Sequence, residues 1–517
     1  MDEIFTWKEV TDPSLWHLFS AIQHGADGGQ PLFYATAWFW ATLFGASVLS
    51  LRLYSCLCVC GAFLVTWLCI RRVYGLWATA FGVLTIWGAS GLLLDQNAEG
   101  RFYGLFMLSV AIAVAVYQQL AAPGKATRRL LVLNLIAQAA LVLTHILGLI
   151  YSGLILAALM LFDAMDHRFR IKVYLSHAAG CLALLFWIPA IRASMAAGKP
   201  HSWIPIPTLK SLYDSYLFWA YLPWLSLVQR HSSGLVFQIV RRGADLSLLL
   251  PLVVVLGFWL RNLFRAEGRR STSNQENALQ LIAFALLLAP AVLFVLSVLV
   301  TPVLISRYVL PSAIGMAIVL AVFANWLSLT IPVSLHTASR QIAIVIVIFL
   351  VGSPILSALI RGPESANWRF LDVRRLDGIF APQTPVVVGW QQDFSKLMRY
   401  SREPQSHYYF LLDWPAALAG PRTYVLDYHL MRSYRDAGYY SKNIQDSMNF
   451  LCSHADFVVL DSHASDSTDE GTTWFDYSIR NNPSFLWNIL ASLDGPGVKR
   501  ELVAVHRQAA LSQCDKP

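Results

Sequence analysis

The chain is poor in charge. Only 14% of its 517 residues are Asp, Glu, Lys or Arg, where a soluble domain carries roughly 25%. With 56% apolar residues and a mean hydropathy of +0.51, most of its surface is not built to face water. That excludes a string of ordinary soluble domains, although the length alone would suit about three. Cysteine is sparse too. Cys56, Cys58, Cys60, Cys69 and Cys181 lie in apolar runs at spacings that match no metal motif, and read as small buried hydrophobes. Cys452 and Cys514 fall in the more polar C-terminal part, where a disulfide between them is open if that part is extracytoplasmic. No internal repeat and no matched pair of interrupted spans is present, which argues against a transporter of inverted-repeat design. The C-terminal part lacks a Gly-rich phosphate loop, zinc spacing and a Gly-x-Ser-x-Gly elbow. The formal net charge of +8 does not point to nucleic acid, because the basic residues sit in short clusters between apolar runs, where cytoplasmic loops carry them.

What is present is a series of runs long enough to cross a bilayer. They cover residues 48–70, 77–94, 102–117, 173–191, 246–260, 278–300, 308–327 and 342–360. The run 130–162 would form one helix of about 50 Å, too long for a single crossing. Its flanks, Lys125/Arg128/Arg129 and Arg168/Arg170/Lys172, are both basic, so it must return to the same side, and a hairpin is expected at Thr144-His145. This makes about ten spans. Asp2, Glu3, Glu9, Asp12 and Asp27 against Lys8 alone precede the basic pair Arg71-Arg72, which predicts an outside N-terminus and, after ten crossings, an outside C-terminal part. The shorter run 31–45, opened by Pro31 and rich in aromatics, reads as an interfacial helix.

Three regions follow: 1–47, an outer loop with that helix; 48–360, the membrane domain, with a long aromatic outer loop at 193–245; and 361–517, a soluble domain. In the last, 385–390 and 456–461 read as buried strands, 501–506 as a final strand, and 394–400 and 474–479 as helical. The fold class is therefore an all-α polytopic membrane domain with a C-terminal extracytoplasmic α/β domain. The loop 193–245 is a candidate lid, or simply a belt of interfacial aromatics.

Six short segments carry chemistry-bearing residues, five of them at expected outer helix ends. They are Asp2-Glu3, Asp27-Gly28-Gly29-Gln30-Pro31-Leu32-Phe33-Tyr34, Leu51-Arg52-Leu53-Tyr54-Ser55, Glu99-Gly100-Arg101-Phe102-Tyr103, Thr144-His145 and Ser306-Arg307-Tyr308-Val309-Leu310-Pro311. In this order they resemble the acidic pair, D-x-H-P-P-L-Y-Y, R-L-P-S, E-A-R-x-Y, T-H and R-Y-x-x-P segments of the GT-C superfamily of membrane glycosyltransferases, the group of protein mannosyltransferases, aminoarabinose transferases and RgtA/B/C/D-like transferases. The likeness covers about residues 2–360. It departs at Gly29-Gln30, which replace a His-Pro, and at Tyr54, which replaces a Pro. The family also has one more span before the acidic pair, so the resemblance implies about eleven in a native enzyme.

The resemblance implies a GT-C-like fold in a bacterial cell membrane and transfer, with inversion, of a sugar from a polyprenyl-phosphate carrier to an extracytoplasmic lipid, glycan or protein of the cell envelope. Such transfer needs a base for the acceptor hydroxyl, positive charge for the leaving phosphate, and exclusion of water. Asp2 is the implied base and Glu3 its orienting neighbour. Arg101 and Arg307 are candidate phosphate binders, costly at a membrane boundary unless used, although lysines and arginines there also reach for lipid headgroups. Glu99 is placed to hold Arg101. Asp27, Tyr103, His145 and Tyr308 are candidate substrate contacts, and Arg52 is expected to face the protein interior. No metal and no other cofactor is implied, and no nucleic-acid partner. A lipid-linked-substrate transporter or flippase, and an inactive GT-C relative that only binds, remain the rival readings.

Overall fold

A computed structural model describes residues 3–97, 99–122, 124, 126–200, 202–217, 234–264, 274–330, scattered positions between 341 and 379, and then 383–402, 405–464, 471–493, 498–509 and 514. The chain forms two units.

The membrane unit comprises Gly29–Phe186 and Ile204–Ile360. Among the described residues, six elements are long and apolar enough to span a bilayer: Val48–Arg71, Tyr103–Ala121, Gly148–Met165, Ile171–Ala197, Asn274–Leu299 and Ser312–Thr330. Each falls on an expected run, although the third is only the second arm of the hairpin. The first arm, Arg128–Thr144, stops at His145, and the second starts at Gly148. Gly148 is required there, because a Cβ would lie 2.3 Å from the Leu141 carbonyl oxygen. The run 77–94 is broken at Ser90 into Leu76–Ala89 and Gly91–Asn97. Pro189 and Pro290 interrupt two others within a turn of their breaks, since proline cannot donate to the preceding turn. The run 246–260 lies within Gly234–Phe264, and most of 342–360 lies outside the described residues. Pro31–Phe44 is helical with proline in its first turn.

In lipid, apolar surfaces gain little by meeting, so close packing and interhelical hydrogen bonds hold helices together. The most buried helix, Tyr103–Ala121, packs against Val48–Arg71, Arg128–Thr144 and Gly148–Met165. A buried polar ladder ties three more contacts. Asn134 donates to Ser176 (2.9 Å), Ser152 donates to Gln138 (2.8 Å), and Ser152 meets His177 Nε2 at 2.8 Å. At a basic connection, Arg170 grips the fully buried Asp163 through two hydrogen bonds of 2.9 and 2.6 Å, and the Tyr174 hydroxyl donates to the same carboxylate at 2.7 Å.

The second unit comprises Met1–Gly28, Trp187–Trp203 and Arg361–Pro517. Its centre is a six-stranded sheet of β1 (Val386–Val388), β2 (Tyr408–Leu412), β3 (Ile444–Asp446), β4 (Asp456–Ala464), β5 (Phe485–Ser492) and β6 (Val498–Arg507), in the order β3-β2-β1-β4-β6-β5. The first four strands are parallel, with β6 and β5 antiparallel at one side. Val386, Val388, Val458, Leu460 and Leu502 fill the core on one face, and Val387, Phe457, Val459, Val503 and Val505 the core on the other. Burial on both faces explains why β1 reads as an unbroken valine run. The expected strands at 385–390, 456–461 and 501–506 correspond to β1, β4 and β6. The helix expected over 394–400 runs Gln391–Tyr400, and 474–479 ends in the short π-helical turn Asp476–Arg480. Three strands were not legible. Phe485-Leu-Trp-Asn-Ile-Leu-Ala-Ser has no clean alternation, and only its ladder with β6 makes it a strand.

The grouping of the first 28 residues differs from the division expected at residue 47. Helices Glu3–Val10 and Leu15–Gln23 are short, and they bury their inner faces on the sheet domain: Phe5, Ala21 and Ala26 join the core formed by Val386, Leu397 and Tyr434. Cys452 and Cys514 are disulfide-bonded.

Beneath the sheet, Arg500 donates to both oxygens of Asp393 (2.7 and 3.1 Å), Ser462 donates to the same carboxylate at 3.0 Å, and Lys396 Nζ lies 3.6 Å away. Asp393 and Arg500 are both buried. Removing one partner of a buried pair strands the other charge, at about 3–5 kcal/mol. Arg500→Met should therefore lose about that much stability, and the double variant Asp393→Leu/Arg500→Met should regain most of it, as measured by chemical unfolding of the detergent-solubilised chain.

Candidate functional site

In the membrane unit, the residues singled out from sequence converge from three connections. Gly91–Asn97 ends before a tight turn in which the Glu99 amide donates to the Gln96 carbonyl (3.4 Å) and the Arg101 amide to the Glu99 carbonyl (2.8 Å). This turn delivers Glu99, Arg101 and Tyr103 to the start of Tyr103–Ala121. His145 comes from the hairpin, and Arg307 and Tyr308 come from the 3-10 turn Ser306–Val309. Arg101 is only 8% exposed, and its guanidinium lies 5.0 Å from the Phe102 ring centroid.

His145 is the hub. Its ring is stacked on Phe106 (4.8 Å between centroids) and flanked by Phe102 (4.9 Å) and Tyr308 (5.1 Å). The Arg307 guanidinium lies 5.6 Å from the Tyr103 ring and 5.9 Å from the Tyr308 ring, and the two tyrosine rings are 6.4 Å apart. The Tyr151 hydroxyl donates to the Tyr308 carbonyl (3.1 Å), fixing this turn. His145 Nδ1 accepts the Leu147 amide (3.1 Å), so in the neutral ring the proton sits on Nε2. Burial, then the charges of Arg307 and Arg101, push the His145 pKa down to about 3. At neutral pH the arrangement is an uncharged, rigidly stacked imidazole within the field of two guanidinium groups. Such a group favours an anion, and Arg presents a planar fork suited to phosphate.

Phe102, Phe106 and Tyr151 were not among the residues singled out. Phe102 and Phe106 stand one turn apart beside Arg101, a signal that a helical reading of 102–117 contained. Phe33 packs edge-on to Phe102 (5.8 Å), which links the Gly29–Tyr34 segment to the cluster. Gly29 has its own reason: a Cβ would stand 2.3 Å from the ring of the buried Tyr34. Arg52 is a correction. It is exposed, in the first turns of Val48–Arg71, because that helix starts only four residues earlier and its end, not its middle, carries the charge.

The acidic candidates belong to the other unit. Asp2 lies outside the described residues. Glu3 opens Glu3–Val10, where a carboxylate suits the helix dipole, and the half-buried Asp27 follows a left-handed turn at Gly25. The neighbouring acids Glu9 and Asp12 are structural. Glu9 accepts from the Tyr434 hydroxyl (3.0 Å), while Asp12 accepts from the Tyr439 hydroxyl (2.6 Å) and pairs with His17 (2.5 Å). Burial pushes the Asp12 pKa up, but the bonds from Tyr439, His17 and Ser14 outweigh it and hold the carboxyl below its usual range. Among the described residues, no group of three His, Cys, Asp or Glu side chains is placed to hold a metal ion.

The chain is similar to solved structures of ArnT from Cupriavidus metallidurans, in the apo state and bound to undecaprenyl phosphate. Identity is 14% in both cases, TM-scores are 0.40 and 0.41, and the match covers 95% of this chain and 89% of that one. No family model matches, and no curated protein matches.

The depressed pKa of His145 has a pH consequence. Its ordinary value is 6.5 and its folded value is about 3, so the unfolded chain binds the extra proton. Its contribution is complete above pH 6.5 and is lost as pH falls towards 3, at about 1.4 kcal/mol per pH unit. Thermal unfolding followed between pH 7 and pH 4 should fall more steeply for the wild type than for His145→Asn.

Proposed function

We propose that the chain is an inverting glycosyltransferase that moves a sugar from a polyprenyl-phosphate carrier to an extracytoplasmic hydroxyl on a lipid, glycan or protein. The observation that supports it most is the convergence of Arg101 and Arg307 on the neutral, buried His145, with Tyr103 and Tyr308 forming an aromatic wall.

In this reading Asp2 takes the proton of the acceptor hydroxyl. The acceptor oxygen forms a bond to the anomeric carbon as the bond from that carbon to the phosphate oxygen breaks, which inverts the centre. The lipid phosphate departs with one more negative charge, and Arg101 and Arg307 stabilise that charge as it develops. The Nε2–H of His145 is a neutral donor to the same phosphate. Glu3 orients Asp2, Glu99 orients Arg101, and Asp27 takes sugar or acceptor hydroxyls. The apolar surroundings of His145 exclude water that would otherwise hydrolyse the donor. The active face is extracytoplasmic, as the distribution of basic loops predicts.

The test is transfer by purified chain in lipid nanodiscs, given labelled polyprenyl-phosphate sugars and membrane acceptors. Arg307→Gln and Arg101→Gln should each lower kcat by about 10²–10³-fold, the usual cost of one group that stabilises developing charge, and Asp2→Asn should abolish transfer. Movement of the donor across vesicles without transfer would instead establish a transporter, and donor binding with neither would establish an inactive relative.

A further inference from the structure

We infer that the sheet unit holds one neutral sugar ring in a crevice at the carboxyl ends of its parallel strands, walled by Gly389, Asp413, Tyr424, Asp427, Tyr428 and Trp474. The inference stands apart from the transferase reading, because all six residues belong to the sheet unit. β1 leads through helix Gln391–Tyr400 to β2, and β2 through helix Arg422–Asp436 to β3, while β4 returns to the other side of β1. Open α/β sheets bind ligands outside the carboxyl ends of their strands, at such a reversal of strand order. Gly389 directly follows β1 and donates its amide to the Leu460 carbonyl of β4 (3.0 Å), and Asp413 directly follows β2. The crevice beside them, open to solvent, spans about 330 Å³, at the small end of the roughly 300–1,000 Å³ of small-molecule sites.

Tyr424, Asp427 and Tyr428 stand at i, i+3 and i+4 on Arg422–Asp436, which brings two rings and a carboxylate to one helix face. Tyr428 is braced by Trp414 (5.0 Å between centroids) and His429 (5.6 Å). Trp474 is fixed by its Nε1–H, which is shared between Asp413 (3.2 Å) and Ser447 (3.1 Å). Asp413 also accepts the Ala416 amide (3.1 Å) and the Ser478 hydroxyl (3.3 Å). Asp413 therefore builds the wall, and the buried Asp427 is the carboxylate that meets a ligand. The lining disfavours a phosphate: the turn after β1 is Gly389-Trp390-Gln391, with no further glycine, and the field is negative. Burial, then Asp461, Asp427, Asp393 and Asp476, push the Tyr424 pKa up, so its hydroxyl stays neutral. A metal ion is disfavoured by geometry, since among the described residues no three His, Cys, Asp or Glu side chains are placed to share one. Ring faces beside a carboxylate suit instead a ligand with an apolar face and a hydroxyl edge. A sugar ring presents both, its C–H face to Tyr428 or Trp474 and its hydroxyls donating to Asp427.

Binding is measured by saturation-transfer NMR on the full-length chain in lipid nanodiscs. The probes are methyl glycosides of neutral hexoses, trisaccharides ending in the same hexoses, methyl glucuronide as the anion and choline as the cation. Neutral glycosides should bind with a Kd of about 1 mM, in keeping with so small a ligand, and neither charged probe should displace them. Tighter binding of the trisaccharides assigns the end of a glycan and equal binding a free sugar; both support the site. Asp427→Asn and Tyr428→Ala should each weaken binding about tenfold. Gly389→Leu should abolish it: a Cβ there stands at ordinary contact distances from Leu460 and Asp461 (3.4 and 3.6 Å), and the longer side chain fills the crevice. Should these variants not fold, a diazirine-bearing methyl hexoside on the wild type should label Gly389, the stretch 410–428 or Trp474. The inference is overturned by a wild type that binds no neutral glycoside, by unchanged binding in Gly389→Leu, by preferential binding of choline, or by labelling confined to the membrane unit.

Discussion

A charge inside a membrane domain must be held by something other than water, and that constraint organises the cluster around His145. Arg101 is almost fully buried. Its guanidinium lies over a ring face, as does that of Arg307. Aromatic faces attract a guanidinium through their quadrupole. The histidine between them adapts to the same constraint by staying uncharged. Had it been protonated, three positive groups would compete in one low-dielectric pocket. Phe106 stacked on the imidazole, with Phe102 and Tyr308 tilted against it, keeps it in one orientation, and Tyr151 fixes the Tyr308 turn.

The sheet unit solves a related problem with the opposite chemistry. Two of its buried carboxylates are held by specific partners: Asp393 by Arg500 and Ser462, and Asp12 by Tyr439 and His17. Buried carboxylates survive there because hydrogen bonds offset the loss of hydration. The two N-terminal helices, of 8 and 9 residues, are too short to stand alone. Their stability comes from the sheet domain, which makes the extreme ends of the sequence a single folding unit. Contacts between residues more than 400 positions apart, such as Glu9 with Tyr434 and Asp12 with Tyr439, carry that association.

Much of the membrane architecture was legible because the bilayer imposes a simple rule. A span needs a long apolar run, a basic flank marks one side, and a run too long for one crossing with two basic flanks must fold back. The hairpin at Thr144-His145 follows from those statements alone. The breaks at Ser90 and Leu288 do not, because a membrane helix interrupted by a proline or an extended residue has the same hydropathy as a straight one. For the site, Arg101, Tyr103, His145, Arg307 and Tyr308 could be named from local segments. The rings that hold them could not, since phenylalanine in an apolar run carries no mark of what it touches.

The amino-acid order by itself determined that this chain is a membrane protein, where its long apolar helices lie, and which few polar residues stand at their ends, because hydropathy and charge act locally and can be summed along the chain. The three-dimensional fold alone decided that the first 28 residues belong with the last domain, that β5 is a strand, and that the imidazole at 145 shares its surroundings with guanidinium groups 44 residues before it and 162 after it. Those outcomes depend on pairings between distant segments, and the energy of such a pairing belongs to both partners at once.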